Sequence, residues 1–172
     1  MNEKLKKIIL DLLGHMGFSA GGGSASGGEV EIFERQEEGR VVFNIRTRDA
    51  QLLIGKQGAN LEALQHIVRI MFRKETQDDR FPFAIDIDDY KDQRSLYLKE
   101  LARKAAQHVR QNKKAVSLEP MAAHERRVIH DYLSLYSDIG SESTGVDPNR
   151  KVIIRPKEKT KDKDGFDFVE NS

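Results

Sequence analysis

Two glycines three residues apart, set between helical apolar patterns, constrain this chain more than any other feature. Residues 52–74, LLIGKQGANLEALQHIVRIMFRK, carry an apolar run that breaks at Gly55, passes through Lys56 and Gln57, and restarts as a helix after Gly58. A phosphodiester backbone approaches peptide N–H groups closely where no Cβ intervenes, so glycines flanking a two-residue turn suit such a contact. The following helix adds its N-terminal partial charge and unpaired N–H groups, and Lys56 adds a cation. A helix C-cap glycine followed by a second flexible residue leaves the same letters, so spacing alone does not choose between the two readings.

The chain has 172 residues, of which 38% are apolar, enough for one ordinary domain or two small ones with real cores. Its net charge is only +1, but the distribution is uneven. Residues 29–90 hold 9 basic and 13 acidic side chains, whereas residues 91–155 hold 13 and 8, which makes the second half the basic one. With no cysteine, disulfide scaffolds, thiolate metal sites and cysteine nucleophiles are excluded. The N-terminal apolar run is interrupted by Asp11 and is too short to span a bilayer, so the expectation is a cytoplasmic protein without membrane insertion.

Taken in order, Leu5, Ile8, Ile9, Leu12, Leu13 and Met16 form one face of an amphipathic helix. Residues 20–28, AGGGSASGG, read as a flexible loop. Alternation of Val30 and Ile32, then Val41, Phe43 and Ile45, predicts strands over 29–33 and 40–46 joined as a hairpin near 37–39. Asp49 is a candidate N-cap for a short helix over 50–54. After the glycine turn, Leu61, Leu64, Val68 and Met71, with Ile67 and Phe72, hold a helical face, and residues 81–88, FPFAIDID, alternate as a third strand.

From Tyr90 the pattern is helical and basic, with Leu98, Leu101, Ala105 and Val109 as its core face. A short strand over 115–119 precedes a helix whose stripe is Ile129, Tyr132, Leu133 and Tyr136. Arg126 and His130 stand four apart on one face of it, beside Arg127, a spacing that suits gripping successive phosphates or stacking on a base. A structural histidine explains the same spacing. Residues 157–172 mix charges without periodicity and read as a disordered tail.

The order helix, strand, strand, helix, glycine turn, helix, strand, with IGKQGANLEAL as its most specific string, resembles a type II KH domain over about residues 2–90. That resemblance implies a three-stranded sheet with helices on one face. It also implies that Gly55, Lys56, Gln57 and Gly58 clamp about four single-stranded nucleotides, with bases over Leu53, Ile54 and part of the sheet. Arg69 and Arg73, one turn apart on the second helix, extend the cationic track or form an ordinary solvated face.

HERRVIHDYL, followed by SESTG and NRKVIIRP, resembles the R-3-H domain over about residues 91–156, in which the Arg-x-x-x-His pair, here Arg126 and His130, is associated with single-stranded nucleic acid. The fold class expected is therefore α+β, two small domains in tandem, the second with helices on a small sheet. A KH domain joined to an R-3-H domain resembles the Jag (SpoIIIJ-associated) family of bacterial RNA-binding proteins. Members usually carry a further N-terminal domain, whereas this sequence opens on the first KH helix.

The resemblance implies a single-stranded RNA-binding protein and post-transcriptional regulator, with two sites on one chain reinforcing each other through effective concentration. Single-stranded DNA is the rival ligand. A protein-interaction scaffold in cell-envelope or cell-elongation control is another reading, and a dimer or a partner KH protein fits any of them. No catalytic residue, metal site or cofactor is expected: the five histidines include no His-x-x-x-His pair, and no Walker or dinucleotide loop is present.

Overall fold

The alternating residues on either side of Gly39 pair as expected, but further than the pattern alone predicts. In the computed structural model, which describes residues 1–18, 28–37, 39–78 and 80–157, strand β1 (Val30–Glu37) and strand β2 (Arg40–Thr47) run antiparallel with Glu37 opposite Arg40. A two-residue connection leaves no slack, so pairing continues to the turn. The expected glycine-serine loop, apart from Gly28, and the expected tail beyond Lys157 lie outside the described residues.

Around that hairpin stand helix α1 (Asn2–His15), helix α2 (Ala50–Ile54), helix α3 (Ala59–Thr76) and strand β3 (Phe83–Ile87). The sheet order is β1-β2-β3, with β3 parallel to β2 and at the edge. Leu5, Ile8, Ile9 and Leu13 of α1 and Leu61, Leu64, Val68 and Phe72 of α3 are buried in a core with Phe43, Ile45 and Ile85. Met16, Ile67 and Met71, expected inside, are exposed, and Phe72 takes the core position beside Phe81 and Phe83. A ring burying more area than methionine decides which edge of the α3 stripe faces the sheet.

Strand β2 is central, and Val42 and Asn44 are buried along with the expected Val41, Phe43 and Ile45. The reason is a polar cover on the sheet's other face. Arg35 Nη1 donates to Asp89 Oδ1 at 2.6 Å, and Asn44 Nδ2 donates to the same oxygen at 3.0 Å. Beneath it, buried Asp86 accepts from the backbone N–H groups of Ile87 and Lys91 at 2.9 and 3.3 Å. Desolvation pushes the Asp86 carboxyl above its ordinary pKa and the Lys91 ammonium below its own.

The chain divides into two compact units, Met1–Gln93 and Arg94–Ser172. The break falls within helix α4 (Tyr90–Asn112), whose later turns bury Leu98, Ala102, Ala105, Ala106 and Val109 in the second unit. Three alanines on that face let the helix approach its neighbours closely. The rest is strand β4 (Val116–Ser117), helix α5 (Ala123–Leu133), strand β5 (Ile139–Thr144) and strand β6 (Lys151–Pro156), in an antiparallel sheet of order β4-β6-β5. Ile129, Leu133, Val152 and Ile154 complete the core, whereas Tyr132 and Tyr136 pack at its border.

Candidate nucleic-acid interface

Three turns of backbone shape the first candidate site. Helix α2 ends at Ile54, Gly55 follows at φ 69° and ψ −175°, and Lys56–Gly58 make one 3₁₀ turn with Gln57 left-handed at φ 54° and ψ 28°. Gly58, at φ 84° and ψ 8°, starts α3. The first of these conformations is open to glycine almost alone, and the last favours it strongly. Asn60 fastens the turn from across, its Nδ2 donating to Leu52 O at 2.8 Å. The Asp49 side chain makes no capping bond to α2, and its own backbone N–H donates to Thr47 Oγ1 at 3.3 Å.

The glycines are demanded from inside as much as from outside. A Cβ on Gly55 falls 2.5 Å from Asn60 Cγ, and one on Gly58 falls 2.9 Å from Tyr90 Cε1. Gly58 is buried, so the room its missing side chain leaves is taken by the Tyr90 ring. What faces solvent is Lys56, exposed and without an ion pair among the described residues, and half-buried Gln57, both at the positive end of an 18-residue helix. Leu53, expected beneath bases, is core; half-buried Ile54 and exposed Leu52 are the apolar surface beside the turn.

Arg69 and Arg73 are exposed on α3, but Arg69 lies about 16 Å beyond Gly58 at the helical rise per residue. They belong to a second place on the same helix. There Arg69 stands over the Phe83 ring with its guanidinium carbon 5.8 Å from the centroid, above a hollow of about 340 Å³ lined also by His66, Arg73, Phe81 and Asp78. The Phe72 and Phe83 rings are themselves core, so the hollow presents half-buried Phe81 among the exposed His66, Arg69 and Arg73.

In the second unit the expected pair does not stand free on a helix face. Arg126 is 5% exposed, and its Nη1 donates to Met121 O at 2.6 Å and to Asp147 Oδ1 at 3.0 Å. It ties the start of α5 to the connection between β5 and β6. His130 lies between two hydroxyls, with Nδ1 2.7 Å from Ser141 Oγ and Nε2 2.8 Å from Ser143 Oγ. Those serines are two apart on β5 and so share its face. Burial holds the imidazole below its ordinary pKa, with Arg126 adding to the effect and Asp131 opposing it. Arg127 is the exposed member, 3.6 Å from Asp131.

Sequence reasoning missed Glu125, which is 1% exposed. It accepts from Arg94 Nε at 2.6 Å and from the Ala122 backbone N–H at 3.3 Å. A glutamate at the third position of a helix is the available signal, although Ala122 supplies no oxygen for the reciprocal capping bond. Tyr90 had no signal, since nothing in the letters sets a ring under Gly58.

The KH domain pattern matches residues 22–91, and the R-3-H domain pattern matches residues 96–156. An RNA-binding protein KhpB of Clostridium symbiosum is 37% identical over 125 residues, 73% of this chain and 55% of that protein. The RNA-binding protein KhpB of Bacillus subtilis is 33% identical over 140 residues, 77% of this chain and 64% of its own length. This is a Jag-family protein, with KH and R-3-H domains in tandem. The glycine turn and the α3 hollow therefore lie in its KH domain, and Arg126, Arg127 and His130 lie in its R-3-H domain. The chain spans a little over half to under two thirds of the length of these two relatives. Among the described residues no helix is long and apolar enough to cross a membrane, and no group of three or more His, Asp or Glu is placed to hold a metal ion.

Proposed function

We propose that this protein binds single-stranded RNA and acts in the cytoplasm as a post-transcriptional regulator, a binding protein rather than an enzyme. The observation that carries the reading is the turn at residues 55–58. It is held in a glycine-dependent conformation, offers exposed Lys56, and opens the N-terminus of a long helix within a KH domain. Two relatives named as RNA-binding proteins support the choice of ligand. Phosphates sit at Lys56, Gln57 and the N–H groups of the turn, and the strand continues along α3 toward Arg69 and Arg73. In the R-3-H domain, Arg127 supplies the exposed cation, while Arg126 and His130 shape the surface from beneath.

The test is a salt titration of binding to matched single-stranded RNA and DNA, for the native chain and for Lys56→Asp/Gln57→Asp. Both positions lie in a turn whose fold is set by its glycines and Asn60, so the variant keeps its melting temperature. Losing one phosphate contact lowers the slope of log affinity against log salt by about 0.7 for a single strand. Unchanged affinity and slope in the folded variant refute the clamp. Equal affinity for DNA removes the assignment to RNA, which depends on contacts to the 2′-hydroxyl.

A further inference from the structure

The surface where α3 runs beside β3 holds a group that neither the glycine turn nor the arginines use. Among the described residues strand β3 is paired on one side only, so the peptide groups of alternate residues point out from the sheet with no described strand to receive them. At one of these, Ile85, the N–H donates to Gln65 Oε1 at 2.6 Å. With the oxygen taken by the strand, the NH₂ of the same carboxamide is left to find another acceptor. That Nε2 is buried and has no hydrogen-bond partner among the described residues. A buried donor left unpaired by the protein is rare in a folded chain, and its partner is a water, an ion or a ligand.

Position says what the ligand is. Gln65 lies seven residues after Gly58 and four before Arg69, so the three follow one another along one side of α3. On the strand, Ile85 meets Gln65, and Phe83, two residues earlier, meets Arg69. Gln65 therefore sits between the turn that takes phosphate and the aromatic hollow. A single strand drawn along the helix passes it, and the groups it meets there, the Gln65 NH₂ and the Arg69 guanidinium, are both donors. Asp78 lines the hollow itself.

We infer, building on the RNA-binding reading, that Gln65 is a specificity-determining residue: it reads one base by donating from Nε2 while its oxygen stays on the Ile85 N–H. Neighbouring donors select a base edge with neighbouring acceptors, as cytosine presents at O2 and N3 and guanine at O6 and N7, and so separate cytosine from adenine and uracil. Adenine puts its N6 donor beside N1, and uracil puts N3–H between its two carbonyls, so each sets a donor against a donor. Reaching Nε2 takes a small opening between α3 and β3, of the kind side chains make on binding.

The experiment compares binding of the full chain to single-stranded RNA octamers of cytidine, adenosine and uridine. It uses the native protein, Gln65→Glu, which keeps an acceptor for Ile85 but turns the free end into an acceptor, and Gln65→Leu. The native chain prefers cytidine over adenosine by about tenfold, the scale of one well-placed base contact. Leucine brings that ratio to about one, and glutamate reverses it. In the native protein, the Gln65 side-chain NH₂ resonances shift with the cytidine octamer and not with the adenosine octamer, a readout that needs no variant. Ratios unchanged in the folded variants overturn the inference and leave RNA binding standing. An equal rise in affinity for all three octamers makes Gln65 a plug and also overturns it. No binding of any octamer by the folded native chain overturns this inference together with the proposed function.

Discussion

Replacing Arg126 with alanine separates a structural from a contacting arginine. Its Nη1 holds Met121 O at 2.6 Å and Asp147 Oδ1 at 3.0 Å, with the Arg126 side chain 6% exposed and that of Asp147 64% exposed. Loss of a charge-assisted bond that leaves a carbonyl short of a partner costs about 1.5–3 kcal/mol. The released Asp147 returns to water, so its ion pair contributes at most about 1 kcal/mol. Relief of the guanidinium's own desolvation offsets part of this, leaving about 2 kcal/mol net. For a unit of this size that lowers its unfolding temperature by about 10 °C. The assay is a melt followed by amide signals of the second unit, paired with RNA affinity measured well below the transition. The expected result is the lower melting temperature with affinity reduced less than threefold. Native stability with affinity lost tenfold or more refutes the structural role and returns Arg126 to direct contact with the ligand.

Alanine at Gly58 meets both a left-handed backbone and the Tyr90 ring, so it costs about 2–3 kcal/mol, whereas at Gly39, also left-handed but with no atom of the described residues within 4 Å of an added Cβ, it costs about 1 kcal/mol. Urea midpoints for the two variants give the difference, and equal losses remove Tyr90 from the account. His130 is held below its ordinary pKa of 6.5, so the unfolded chain takes up the proton at higher pH than the fold does. Stability from this group is intact above 6.5 and erodes as pH falls below it. Urea midpoints from pH 8 to pH 5 are expected to fall more steeply in the native chain than in His130→Ala, and matching slopes contradict the burial argument.

Periodicity located α1, the hairpin, α3 and β3 because each buries one face, and a buried face leaves a repeat in the sequence. It failed where two surfaces compete for one residue. Met71 and Phe72 are neighbours on α3, and only the position of Phe81 and Phe83 decides which turns inward. Val42 and Asn44 look like outward positions until Arg35 and Asp89 cover them from distant parts of the chain. The glycine turn was legible as a turn, since Gly55 and Gly58 hold conformations other residues resist, but the contact with Tyr90 was not. Arg126 and His130 were legible as a spaced pair. The bonds that hold buried Arg126 and half-buried His130 come from Asp147, Ser141 and Ser143, and no local pattern ties those residues to α5.

The ring beneath the glycine turn has a consequence for how such a protein can be taken apart. Tyr90 and Lys91 belong to α4, yet one fills the space under Gly58 and the other gives its N–H to Asp86. Further along, the same helix furnishes five buried residues to the R-3-H core. A KH cassette cut where its last strand ends loses the floor of its own turn, and an R-3-H cassette extended back to that cut carries the floor away. Gene fusion and domain exchange with this chain therefore have a seam inside a helix, after its first turn, and not in the loop where domain boundaries are ordinarily sought.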